Sequence, residues 1–140
     1  MSEISESTQQ INGHQIYSRT ILPETAPIAN VLLVHGLGEH CGRYSHVFEF
    51  LADNQIAVYS FDQIGHGRSD GKRGNMKLAD TWQLMDHFIS SIHTADPKVP
   101  LFLYGHSLGG NIVLSYAYQW PESLTGVIAT SPGIGLANPI

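Results

Sequence analysis

The feature that most constrains this chain is an alternation of short, apolar, β-branched runs with longer segments of helical spacing. Val31-Leu32-Leu33-Val34, Ile56 to Phe61, Val99 to Tyr104 and Val127 to Thr130 read as buried strands. Between them, Tyr44, Val47, Phe48 and Leu51 line one helical face, and Leu78, Trp82, Met85, Ile89 and Ile92 advance by 4, 3, 4 and 3 residues along another. Asp96-Pro97 and Trp120-Pro121 mark helix ends, because proline pushes the residue before it out of the helical region. Strands separated by helices need crossover connections, so the expected fold is α/β: a mostly parallel sheet with helices on both faces.

No linker or repeat divides the chain, and 140 residues with 42% hydrophobic content suffice for one domain with its own core. Residues 1–10 are polar and are expected to form a flexible N-terminus, with the domain spanning 11–140. Ile11 to Ile21 mixes β-formers with Asn12-Gly13, as an early hairpin would. The charged fraction is 14% and the net charge -5, which leaves no basic stripe to neutralise phosphates and argues against nucleic acid as a partner. Apolar runs fall far short of the ~20 residues of a membrane span, and MSEISESTQQ has neither the basic nor the apolar region of an export signal. A cytoplasmic location is the expectation. The single cysteine, Cys41, cannot form an internal disulfide, which fits a reducing compartment. No strand-to-helix turn surrounds it, so a thiol nucleophile is not its expected role.

Gly105-His106-Ser107-Leu108-Gly109 directly follows one buried run and directly precedes the apolar segment Asn111 to Tyr118. In a chain this rich in glycine and serine, a bare G-x-S-x-G arises by chance roughly one time in ten, so placement carries the inference. Between a buried strand and a buried helix the motif is a nucleophile elbow: a sharp turn lifts the Ser107 hydroxyl clear of the sheet, and the glycines let strand and helix approach. The helix N-terminus beneath it favours the negative charge that develops in acyl transfer.

His35-Gly36-Leu37-Gly38-Glu39-His40 also lies at the C-terminal end of a buried run. Acyl transfer needs two backbone N–H groups aimed at the oxyanion, one after the nucleophile and one from the loop after an earlier strand. Leu108 and Leu37 occupy those positions. His35, His40, His66 and His106 all lie in glycine-rich loops, but none forms a tight ligand set with a third donor, so neither a metal nor any other cofactor is expected. Nor are these histidines expected to serve as general base, which in this architecture comes from a loop later than the nucleophile. Gly65 to Gly71 lacks the phosphate-loop pattern and reads as a structural loop at the site's rim, with Asp62 capping it through backbone amides.

Together, HGLGEHCGRY at His35 to Tyr44, FDQIGHGRSDG at Phe61 to Gly71, GHSLGG at Gly105 to Gly110 and SPGIGLANP near the end resemble the monoacylglycerol lipase and lysophospholipase branch of the α/β hydrolases. The resemblance covers about residues 11–140 and rests most on the long string at His35. It implies an α/β-hydrolase fold truncated after about the sixth strand, with the last strands and the substrate-selecting cap absent. It implies a serine carboxylic-ester hydrolase acting on monoacylglycerol, lysophospholipid or similar small acyl esters. Ser107 would be the nucleophile, and the amides of Leu37 and Leu108 the oxyanion hole. Peripheral membrane contact would come through the cap.

The family order is Ser, then Asp or Glu, then His. After Ser107 the sequence has Glu122, no Asp and no His, so the Asp and His of the triad are expected from outside this chain. Three explanations stand: a fragment, a second chain that completes the fold, or a non-catalytic half-domain that binds an acyl ligand or a partner. Among enzymes, a proline-releasing peptidase or other chemistry on this scaffold is the alternative.

Overall fold

A computed structural model of the chain describes residues 2–134; the end of the SPGIGLANP string, from residue 135 on, lies outside them. Strand β1 (Ile4–Ile11) turns through Asn12-Gly13 into β2 (His14–Ile21), and the two pair antiparallel from Ile4↔Ile21 to Ile11↔His14. Both turn residues have positive φ, 51° and 84°, the geometry that matches the twist of a two-residue hairpin. The expectation of a flexible start is therefore corrected for residues 4–10. Ser5 to Gln10 carries no apolar pattern because the strand lies at the sheet edge with its side chains exposed, and backbone pairing in the register set by the turn holds it.

After β3 (Ala29–Val34) come α1 (Ser45–Asp53), β4 (Ile56–Phe61), α2 (Leu78–Ala95), β5 (Leu101–His106), α3 (Leu108–Gln119) and β6 (Gly126–Thr130). The sheet order is β1-β2-β4-β3-β5-β6, antiparallel through β2·β4 and parallel from β4 onward. The run expected at Val99 to Tyr104 pairs two residues later, because Pro100 has no N–H and the ladder to β3 starts at Leu101 and runs through Gly105, with His106 paired to Thr130 of β6. Asp96 and Trp120 close α2 and α3 at the positions their prolines dictate.

Adjacent residues of β3 face opposite ways, and each face carries a core. Leu33 joins Val58, Tyr44, Phe48 and Ala52 under α1. Leu32 and Val34 join Leu84, Met85, Ile89 and Ile92 of α2 and Ile112, Val113 and Tyr116 of α3. Helices thus cover both faces, as the alternation requires. Among the described residues, no helix is long and apolar enough to cross a membrane. The parallel strands leave the C-terminal ends of β3, β4, β5 and β6 at one edge of the sheet, and the segments leaving β3, β4 and β5 carry the motifs that begin at His35, Phe61 and Gly105.

Candidate active site

A single residue, Ser107, joins β5 to α3, at φ 56° and ψ −118°. A non-glycine residue there is strained and persists only when its surroundings hold it. Backbone bonds do so: Ser107 N–H donates to Thr130 O at 2.9 Å, and Ser107 O accepts from Asn111 N–H at 3.2 Å and Gly133 N–H at 3.1 Å. The Asn111 side-chain amide adds a bond to Gly133 O at 2.8 Å. Gly105 and Gly109 meet requirements no other residue could: a Cβ on Gly105 would sit 2.1 Å from Gly109 O, and one on Gly109 would sit 2.0 Å from Val34 O. Ser107 is exposed at the start of α3, where first-turn N–H groups, Leu108 among them, have no intrahelical acceptor.

The loop after β3 lies against this turn. A Cβ on Gly36 would be 3.3 Å from Ser107 Cβ and 3.1 Å from His106 O, so the structure brings Gly36-Leu37 and Ser107 together. The Leu37 side chain is 63% exposed, so burial does not account for a leucine here. Glu39 Oε2 accepts from Gly36 N–H and from the Tyr44 hydroxyl, each at 2.8 Å. Burial works against ionisation of Glu39, but those two hydrogen bonds, with His106 and Arg43 nearby, outweigh it and hold the carboxyl below its usual range.

Behind the loop, Asp62 at the end of β4 is buried and accepts from Cys41 N–H at 2.7 Å and Arg68 N–H at 2.9 Å. It caps both glycine loops at once. Ser69 Oγ donates to Asp62 O at 2.6 Å and accepts from Tyr17 N–H at 3.0 Å, tying the Gly65–Gly71 loop to β2. Cys41 is buried against Asp62, and burial together with that carboxylate pushes its thiol well above the ordinary range, the opposite of an activated nucleophile. Glu122 sits in the Pro121–Ser123 turn beyond the far end of α3, a helix of 12 residues and thus about 18 Å long, away from Ser107. Among the described residues, no group of three or more His, Cys, Asp or Glu side chains could hold a metal ion.

Sequence reasoning weighed His35 only as a base or a metal ligand, and its partners escaped it. The ring is fully buried; Nδ1 lies 2.7 Å from Gly36 O, Nε2 accepts from Gln63 N–H at 3.0 Å, and the Gln63 side-chain amide donates to His35 O at 2.6 Å. The available signal was a polar residue directly ending a buried strand, which must find partners wherever the chain returns.

A mostly parallel sheet with this strand order and a strained serine between β5, the strand next to β3, and a helix defines the α/β-hydrolase class. The family model described as serine aminopeptidase, S33, matches residues 25–140, and the chain belongs to that family. Rat monoglyceride lipase is 37% identical over 131 residues, 91% of this chain and 42% of that protein. An uncharacterized abhydrolase domain-containing protein of Dictyostelium discoideum is 45% identical over 115 residues, 81% of this chain and 12% of that protein. Among solved structures, monoacylglycerol lipase of Paleococcus ferrophilus superposes with a TM-score of 0.77 at 39% identity, over 86% of this chain and 44% of that one. A soluble variant of Saccharomyces cerevisiae monoglyceride lipase, in complex with a substrate analog, gives a TM-score of 0.83 at 26% identity, over 90% and 44%. The chain spans less than half the length of each of these relatives.

Proposed function

We propose that this chain is the nucleophile-bearing part of a serine carboxylic-ester hydrolase acting on monoacylglycerol, lysophospholipid or similar small acyl esters. The observation that carries the reading is the exposed Ser107 in a strained conformation at the strand-to-helix turn, with the Gly36-Leu37 backbone beside it. Ser107 Oγ attacks the acyl carbonyl and passes its proton to an imidazole supplied, like its Asp partner, from outside these residues. The developing oxyanion takes hydrogen bonds from the N–H groups of Leu37 and Leu108. The C–O bond to the leaving group then breaks as the imidazolium protonates the departing alkoxide oxygen to give the alcohol. Water, deprotonated by the same imidazole, attacks the acyl-enzyme and releases the acid, with the proton returned to Ser107 Oγ. The lipase names among the relatives support an acyl-ester substrate. The family's description as an aminopeptidase keeps a prolyl amide substrate as the second reading.

A fluorophosphonate probe tests the nucleophile. The catalytically complete protein is expected to label at Ser107 and to lose the label in Ser107→Ala, whereas residues 1–140 alone label slowly or not at all. A label that persists in Ser107→Ala removes the assignment, and rapid Ser107-dependent labelling of the isolated chain shows that a base lies within it. Comparing release of fatty acid from a monoacylglycerol and from a lysophospholipid with release of proline from a prolyl anilide decides the substrate class.

A further inference from the structure

We propose that His35 is a positioning residue for ester turnover: its neutral ring, with the proton on Nδ1, grips the Gly36 carbonyl and thereby aims the Leu37 N–H. This rests on the reading of Leu37 as an oxyanion donor. The tautomer follows from the partners. Gln63 N–H has only a proton to offer, so Nε2 must accept it at 3.0 Å, and Nδ1 must then be the protonated nitrogen that donates to Gly36 O at 2.7 Å. The carbonyl of Gly36 and the N–H of Leu37 belong to one planar trans peptide, in which they point in opposite directions. Holding the oxygen toward the buried ring therefore turns the N–H away from it, to the side where the loop is exposed and Gly36 lies against Ser107.

The peptide on the other side of Gly36 is fixed as well, because its N–H donates to Glu39 Oε2 at 2.8 Å, and Tyr44 holds that carboxylate in turn. Both dihedrals of Gly36, a residue with no side chain to restrain it, are thus set from outside. Gln63 clamps the histidine from two sides, through its backbone N–H to Nε2 and its side-chain amide to His35 O. A donor that waits in position for charge that develops only in the transition state is the arrangement oxyanion stabilisation requires.

Substitutions separate aiming from mere support, because each ring nitrogen has its own isostere. In His35→Asn the side-chain amide N–H can replace Nδ1–H and reach Gly36 O; in His35→Gln the longer side chain places its polar end where Nε2 was, toward Gln63. Turnover of a short-chain ester and of the matching thionoester, whose sulfur accepts hydrogen bonds poorly, would be measured in the catalytically complete protein, with melting temperature alongside. His35→Asn is expected to stay within about 5-fold of the parent kcat. His35→Gln is expected to lose roughly 30-fold or more in kcat, with KM nearly unchanged and a much smaller loss on the thionoester, as for a weakened oxyanion donor. Equal losses in the two variants that follow their melting temperatures, or equal losses on ester and thionoester, would overturn the proposal. Leu37→Pro, assayed in parallel, distinguishes the two failures. If it retains full kcat, the oxyanion reading itself is wrong; if it loses activity while His35→Gln does not, only the role of His35 is.

Discussion

Gly109→Ala is the most informative single change, because its consequence can be worked from distances. The added Cβ would lie 2.0 Å from Val34 O and 2.8 Å from both Val34 C and His35 O, against the 3.0 Å below which real Cβ atoms essentially never approach other atoms. All three are backbone atoms, so no rotamer change relieves the overlap, and the start of α3 must retreat from β3 by about 1 Å. Overpacking of this kind costs about 1–3 kcal/mol, or a fall in Tm of roughly 3–10 °C for a domain of this size. The same retreat moves Ser107 and the Leu108 amide relative to the loop after β3, and a misplacement of about 1 Å in a catalytic array costs on the order of 10²-fold. Gly110→Ala serves as the control, since its Cβ would meet Pro132 at 3.1 Å, a contact a small shift accommodates. Thermal melts and the rate of fluorophosphonate labelling should show Gly109→Ala impaired in both and Gly110→Ala close to the parent. Gly109→Ala with unchanged Tm and labelling rate would refute the claim that close approach of α3 to β3 sets the position of Ser107, the proposed nucleophile.

Leu37→Ala should leave kcat within a few-fold, whereas Leu37→Pro, which deletes the N–H, should lower it by about 10²-fold or more with the fold intact by circular dichroism. Cys41 should resist a disulfide reagent at pH 8 until urea unfolds the chain, and fast reaction of the native protein would contradict its burial against Asp62. Acid should destabilise the fold in two stages. Burial, against weaker opposing influences from the Gly36 bond and the Asp62 and Glu39 charges, lowers His35 below 6.5, so beneath that pH the unfolded chain takes up a proton the native ring does not; stability falls by at most about 1.4 kcal/mol per pH unit. Glu39 is held below 4.5, so its contribution is present above that value and is lost as pH falls through the lower native one. Urea midpoints from pH 8 to 4 should therefore decline from near pH 6.5, and His35→Asn should flatten the upper part of that decline.

Strands β3 to β5 and the three α-helices among the described residues could be read from the sequence because each buries an apolar pattern. Strand β6 was found from its β-branched run, but as the edge strand it buries none of its residues, with Ile128 44% exposed, which corrects the expectation of a buried strand at Val127 to Thr130. Strand β1 could not be read, since Ser5 to Gln10 buries no side chain and is paired to β2 through main-chain bonds in the register the turn sets. The site divides along similar lines. The place of Ser107 at a strand-to-helix turn was legible from local context, a glycine-flanked serine between an apolar run and an apolar helical segment. Asp62 was legible in kind, as a cap, but not its reach to Cys41, 21 residues away. The His35–Gln63 clamp spans 28 residues, and nothing in either local sequence names the other. Long-range partners of buried polar groups depend on how strands pair, and β3 meets β4 only once the sheet exists.

The bonds from Thr130 and Gly133 to the Ser107 backbone bear on the order in which the molecule takes shape. Both tethers come from residues synthesised after the whole of α3, at or beyond the end of β6. A nascent chain halted at Gln119 can contain β5, the serine and the helix, yet it has only the Asn111 bond to hold the turn, and a strained φ with so little support relaxes. The geometry of the Ser107 turn is therefore acquired late, when β6 docks on β5, and the emerging polypeptide carries a slack loop in its place. Protection of the Ser107 amide from hydrogen exchange, whose acceptor is Thr130 O, should appear only in chains long enough to include β6.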